Sequence, residues 1–371
     1  MKALKIRKLN QSGFSHHYII PVIVVAFVAF VGVHVYQASH AATPDALANT
    51  SFNCGRHKKA DPTAAIEALP SGATWNGDGK CYKVVGGIKL TQPVTLQNAA
   101  FVDTARDSKG SSLKPIIYAE DTNNVNLINL ALEGQHTATG YSHAKGVGQE
   151  GIKLYSCVNC TITNVDTVNT YGDGLLASDN NPKDRTPTTN LNINGLTVTN
   201  TGRQGVSISD VYNSTLSNVN IVSSADTGWD FESDIVGVGP SNVTINNPTG
   251  KGVRIIETLN GPLTFNNVNL SGNVSVTNSA AASGQPVTFN KGNIQLKDVY
   301  NGTPPAGIWV NGPGNLTFNN LTITREAPAT PAKPILGLAW LATKGAHLTF
   351  NNTTVATPNG TSDSTSKVVG M

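Results

Sequence analysis

From about residue 125 to residue 355 the chain alternates apolar and polar positions in short stretches, and two patterns take turns. The first is Gly, apolar, any, apolar: GIKL at 151, GLLA at 174, GVSI at 205, GWDF at 228, GVRI at 252 and GIWV at 307. The intervals are 23, 31, 23, 24 and 55 residues, the last long enough for two turns of similar length. The second pattern is apolar, any, apolar, any, Asn, apolar, any, apolar. It runs as VNLINLAL from 125 in a slightly shifted frame, TITNVDTV from 161, LSNVNI from 216, VTINN from 243, LTFNNVNL from 263, LTFNNLTI from 316 and LTFNNTTV from 348. A period of two predicts strands with one face in and one face out. Strands this short cannot each bury a face alone, so they must stack on their sequence neighbours, which is the signature of a solenoid. A propeller would need a longer four-strand unit, and a sandwich would not place one Asn in the same frame seven times.

Each turn then holds a Gly-led strand, a loop, and two strands joined through a sharp corner. Asn129, Asn164, Asn218, Asn247, Asn267, Asn320 and Asn352 mark that corner, with Asp298 at the equivalent place. Asn tolerates the left-handed backbone that a sharp bend requires, and its amide can bond the same residue one coil away. Like residues stacked about 4.8 Å apart form a ladder. The Asn-x-Thr triplets coincide with this frame, so they are explained structurally rather than as glycan acceptors.

The segment from Asp61 to Phe101 reads as a cap. DPTAAIEAL predicts a short amphipathic helix with Asp61 at its N-cap and Pro62 just inside, followed by the first strands in KCYKVVGGIKLTQPVTLQNAAF. This order of helix, Tyr-containing strand, Gly-Ile-Lys-Leu strand and Val-Thr-Leu strand resembles the N-terminal entry of the right-handed parallel β-helix proteins of the pectate-lyase-like superfamily. The resemblance covers roughly residues 55 to 355 and implies an all-β fold, a single-stranded right-handed parallel β-helix with a short N-terminal capping helix. Fold likeness of this kind does not carry an activity. GRQGVSISDVYNSTLSN at 202 followed by GWDFESD at 228 resembles a bacterial β-helix subgroup that pairs a Gly-Arg-Gln-Gly strand with a Gly-apolar-Asp-apolar-Glu strand one coil later. The predicted organisation is a leader at 1–41, a cap with the first coils at 42–110, the β-helix at 111–356, and a flexible Ser/Thr-rich tail at 357–371.

Composition sharpens this picture. Only 13% of the 371 residues are charged, which disfavours solvated helices and charge-driven disorder, and 26 basic against 23 acidic residues supply no concentrated basic surface for nucleic acid. The excess of three lies in the leader. Lys2, Lys5, Arg7 and Lys8 precede an apolar run from Ile19 to Tyr36 with no acid among them. Without those four, 22 basic residues face 23 acidic ones, a net of −1 for residues 42–371. The run fits a signal peptide cleaved after Ala41, behind Ser39-His40-Ala41, or a retained membrane anchor at 19–36; a pilin-type leader ranks third because Tyr18 stands where such leaders carry Glu. Each version keeps the basic end inside and exports the body. In an oxidising compartment Cys54 with Cys81, and Cys157 with Cys160, are expected as disulfides, with zinc binding or thiol exchange as the other uses of a CxxC pair.

Candidate chemistry sits on the outer face of the Gly-led sheet, which walls a long groove in this fold. Charge gathers there on three consecutive coils: Arg203, then Asp226, Asp230, Glu232 and Asp234, then Lys251 and Arg254. Asp230 and Glu232 alternate with inward Trp229 and Phe231, so both are expected to face out, about 6.6 Å apart. That separation suits general acid and base on a glycosidic bond. Arg203 or Arg254 would hold a uronate carboxylate by a two-point contact, and the bland reading is a cross-strand Asp230–Arg254 ion pair. Calcium would draw on Asp226 and Asp234, with Asp230 and Glu232 completing the set of carboxylates and Arg203 or Arg254 nearby. Asp173, in YGDGLL, resembles the Gly-Asp-Gly entry of polygalacturonase strands, yet no Asp-Asp pair, Gly-His-Gly or Arg-x-Lys follows. Trp309 faces out as a sugar platform, while His136 and His143 are read as solvated. The expected partner is a polysaccharide or surface glycan, bound or cleaved by hydrolysis or β-elimination. The rival is a non-catalytic adhesin or glycan-binding stalk.

Overall fold

A computed structural model of the chain describes Cys54 and residues 58–105, 113–136, 148–179, 186–233, 238–256, 259–277, 284–297, 306–311, 314–325, 337–341, 347–356 and 368–370. The leader and its apolar run at 19–36, with both the signal-peptide and the anchor readings, lie outside these residues, as do Asp234, His143 and Asp298. Among the described residues no helix is long and apolar enough to cross a membrane.

Residues 47–371 form one compact unit. Every ladder among the described residues is parallel, and strands away from the two ends pair with the equivalent strand one coil before and one coil after: Ile193 lies against Ile162 on one side and Leu216 on the other. This is a parallel β-helix with three strand-lined faces, the Gly-led sheet and the two sheets on either side of the Asn corner. Inward positions fill one continuous core, from Ile88, Ile117, Ile152 and Leu175 on the Gly-led sheet to Phe265, Phe289 and Phe318 on the sheet before the corner. The last three stack at 4.5 Å and 5.2 Å between ring centroids, and Phe350 continues the stack at 5.3 Å.

All seven predicted corner Asn residues have positive φ, between 47° and 56°. Their amides bond along the axis: Asn129 to Asn98 (3.1 Å), Asn164 to Asn129 (3.3 Å), Asn247 to Asn218 (2.9 Å) and Asn267 to Asn247 (3.2 Å). Between Asn267 and Asn320 the corner is Lys291 (φ 58°), not Asp298, because Asn290 pairs with Asn266 and Gly292 with Val268. Gly195 (φ 85°) takes the corner between Asn164 and Asn218 without a side chain to continue the ladder. Asn247→Ala removes an axial hydrogen bond on each side and leaves a Cβ residue without local amide support in left-handed backbone. We expect a loss of about 1–3 kcal/mol, read from the midpoint of urea unfolding at unchanged slope.

Three expectations shift. The cap helix is only Thr63–Glu67, with Pro62 at the N-cap and Asp61 one residue earlier, although the Asp61 carboxylate still accepts from the Thr63 amide at 2.9 Å. The interval between GVRI and GIWV contains one more coil, the end of the strand Leu263–Thr277, with Val274 paired to Val253 and to Ile308; the two steps are 21 and 34 residues, not similar lengths. The segment read as a flexible tail contains the strand Val368–Gly370, which pairs with Gly337–Leu341 and adds a rung to the Gly-led sheet.

Candidate functional site

The Gly-led strands need glycine because the coils approach too closely there for a side chain. A Cβ on Gly174 would lie 2.4 Å from Val198 Cγ1 and 2.8 Å from the Gly205 carbonyl oxygen. Backbone bonds lock this stack in register, from the Gly151 amide to the Asp173 carbonyl (2.9 Å) and from the Gly205 amide to the Thr227 carbonyl (3.1 Å). Residues just ahead of the glycines are therefore superposed coil on coil, which brings Glu150 beside Asp173. Pleating then turns the middle residue of each short strand outward. Along the axis those positions run Lys89, Tyr118, Lys153, then Leu176, Ser207, Asp230 and Arg254.

Asp230 and Glu232, predicted as one acid–base pair, have different partners. Arg254 clamps Asp230 by two parallel bonds, Nε to Oδ1 and Nη2 to Oδ2, both 2.9 Å, and reaches Asp226 with Nη1 at 2.8 Å. Asp230 points away from the core as predicted but is 0% exposed, since the guanidinium covers it. Both of its oxygens are bonded to a guanidinium, a permanent cation that neither gives up nor takes a proton, so it is not an open acid or base. The guanidinium of Arg254 is likewise spent on two carboxylates of its own chain, which hold its pKa above the ordinary value against the opposing effect of burial. This is the cross-strand ion pair of the bland reading, in a buried form. Asp226, half of the suggested calcium pair, belongs to the same clamp, and among the described residues no group of three or more His, Cys, Asp or Glu is arranged to hold a metal ion.

Glu232 falls elsewhere. With Asp173 and Arg203 it lines a cleft of about 320 Å³, whose other polar walls are Glu150, Lys153 and Tyr155. Asp173 is 1% exposed. It accepts from Ser207 Oγ at 2.8 Å and from the Gln204 amide at 3.0 Å, with Arg203 Nε 3.8 Å away. Burial is the main force pushing its pKa up, to about 7; Arg203, Ser207 and Gln204 oppose the rise and the neighbouring Glu150 adds to it. Burial also raises Glu150, against the pull of Lys153, whose Nζ stands 3.7 Å from Oε1. The other oxygen, Oε2, is buried with no hydrogen-bond partner. Burial alone would lower Lys153, but Glu150 and Tyr155 outweigh it and raise its pKa. The cleft thus holds two cations against three carboxylates, two of them disposed to keep a proton.

Glu150, Lys153 and Tyr155 were not singled out from the sequence as site residues. Their signal is positional: Glu150 precedes Gly151 as Asp173 precedes Gly174, and Lys153 and Tyr155 are the outward residues of the same Gly-led strand. Trp309 lies farther along the sheet, its strand partners Ser275 and Trp340, with its indole nitrogen buried and unpaired. His136 is not solvated; it is 3% exposed and packs edge-on against Tyr171, with 5.2 Å between centroids. Both expected disulfides are formed, Cys54 with Cys81 and Cys157 with Cys160. The latter joins positions either side of Asn159, a left-handed corner residue (φ 56°).

No protein-family model matches the chain, and no curated protein matches it. Among solved structures the chain is similar to the A-module of the mannuronan C-5 epimerase AlgE4 of Azotobacter vinelandii, at 14% identity and a TM-score of 0.48 over 82% of this chain and 94% of that one. It is similar to the periplasmic alginate epimerase AlgG at 10% identity and a TM-score of 0.46, over 76% and 74% of the two chains. It is also similar to the polygalacturonase of Erwinia carotovora ssp. carotovora, at 14% identity and a TM-score of 0.44 over 81% and 91%.

Proposed function

We propose that this chain is an exported, right-handed parallel β-helix that binds an acidic polysaccharide along the outer face of its Gly-led sheet and cleaves it in the cleft between Glu150 and Glu232. The observation that carries this reading is the buried Asp173 beside Glu150, facing Lys153 and Arg203 in a cleft open to a ligand. The right hand follows from the general rule for parallel crossovers. Two disulfides support a place outside the cytoplasm.

In this reading Arg203 and Lys153 take the carboxylate of a uronate residue, which brings the sugar ring against the carboxylates. Glu232 keeps the catalytic role its position suggested, and Asp173 replaces Asp230 as its partner. A carboxyl group with its pKa near 7 can carry a proton to the leaving oxygen while a second carboxylate acts as base. The Arg254 clamp supports the floor of the site instead of touching substrate.

The test is incubation of the purified body with neutral and acidic polysaccharides, following new reducing ends and unsaturated uronides. Product is expected from an acidic polymer, with Asp173→Asn and Glu232→Gln each lowering turnover about a hundredfold or more. Full activity in both variants would overturn the assignment. Binding without any product would leave the non-catalytic glycan-binding protein as the function.

A further inference from the structure

The outer face of the Gly-led sheet is chemically lopsided about the cleft. On the side toward the C-terminus the outward ladder continues from Ser207 into Asp230 and Arg254, whose charges are spent on each other, and then into the uncharged Ser275 and Trp309. On the side toward the N-terminus it presents cations and phenol rings. Lys153 lies over the Tyr155 ring, 4.5 Å from its centroid. Tyr155 meets Tyr118 edge to face at 6.0 Å. Lys89, one coil further, stands 5.5 Å over the Tyr118 ring and pairs with Glu120. The Lys89 side chain remains 50% exposed despite that pair, so its ammonium can reach a second anion. Lys89, Tyr118 and Lys153 occupy one register position on three successive coils, about 4.8 Å apart.

We infer that the cleft extends toward the N-terminus into accessory subsites, in which Tyr155 and Tyr118 carry consecutive sugar residues of an acidic polymer and Lys89 binds a carboxylate beyond them. The inference rests on the reading of the cleft given above. Its physical basis is that a phenol ring offers an apolar face to a sugar ring and a hydroxyl to its rim. A lysine two coils from Lys153 supplies a second point charge to a chain that carries repeated carboxylates. The coil spacing is close to the advance of one pyranose in an extended chain, so charge and ring can repeat in step with the substrate. Among the described residues of this outward ladder no cation stands beyond Arg254 toward the C-terminus, which sets the side on which the chain lies.

Binding of the full chain to oligouronides of increasing length separates this inference from the reading beneath it. In the wild type, a hexasaccharide is expected to bind more tightly than a disaccharide. In Lys89→Ala with Tyr118→Ala, folding checked by circular dichroism, the hexasaccharide weakens about tenfold or more, the loss of a charge-assisted contact and a ring, while the disaccharide is unchanged. Tyr118→Phe with Lys89 intact keeps the ring and most of the gain. A neutral oligosaccharide of the same length shows no gain from Lys89. If the wild type gains with length and the double variant gains equally, the extension is wrong and the cleft stands. If the neutral oligosaccharide gains as much as the acidic one, the charge assignment is wrong. If no oligouronide binds the wild type, the reading of the cleft falls and the extension with it.

Discussion

Arg254→Ala is expected to lower the free energy of unfolding by about 3–5 kcal/mol, although the residue is a surface cation by sequence pattern. Its removal leaves Asp230, which is 0% exposed, as an uncompensated buried carboxylate, and it frees Asp226 from the same guanidinium. Water cannot readily replace two charge-assisted bonds on a side chain held in the middle of a strand whose neighbours, Trp229 and Phe231, are core residues. The penalty is therefore desolvation more than lost attraction. That distinction has a signature. Asp230→Asn in the Arg254→Ala background should restore most of the loss, because an amide carries no charge to desolvate. Urea unfolding of the two single variants and the double variant gives the coupling directly. A loss below about 1 kcal/mol for Arg254→Ala would place the pair with ordinary exposed ion pairs and contradict this account.

The second large effect is a pH dependence of stability that originates in the cleft. Burial, with Glu150 alongside, raises the Asp173 carboxyl from 3.8 to about 7 in the folded protein. The folded state then holds a proton that the unfolded chain releases, so this group's contribution to stability is fully present below about pH 4 and is lost as the pH rises toward 7. Three pKa units correspond to about 4 kcal/mol over that window. Glu150 is shifted in the same direction, so the clean observable is the difference between wild type and Asp173→Asn. From pH 4 to pH 8 the wild type should lose about 4 kcal/mol relative to that variant. A difference that stays flat across this range, or rises with pH, would show that Asp173 is ionised in the cleft throughout. The same carboxyl would govern the pH profile of turnover, with a midpoint near 7 that Asp173→Asn abolishes.

The sequence was most legible where chemistry repeats. The corner Asn residues share one frame because only a few side chains accept left-handed backbone, and a ladder rewards the same choice at each coil. The cluster of charge was also visible, since charged residues are few, but its division was not. Asp230, Glu232 and Arg254 look equivalent as outward residues of adjacent strands, with Arg203 in the loop just ahead of a neighbouring one. Whether an outward carboxylate meets a guanidinium or a cleft depends on the reach of side chains from neighbouring coils. Glu150 was missed because its significance comes from Asp173, 23 residues later in sequence and one coil away in space.

By itself the sequence determined the parallel stacked architecture, the Gly-led sheet and most of the corners. All of these follow from local backbone preference and a periodicity that stacking alone can satisfy. Only the tertiary structure decided which charges cancel and which remain available. Arg254 closes over Asp230 because register sets them side by side, whereas Glu150 and Asp173 meet because close-packed glycines superpose the residues that precede them, and Arg203 reaches Asp173 from the next coil. The fold is written in the period of the chain, and the site is written in the contacts between its coils.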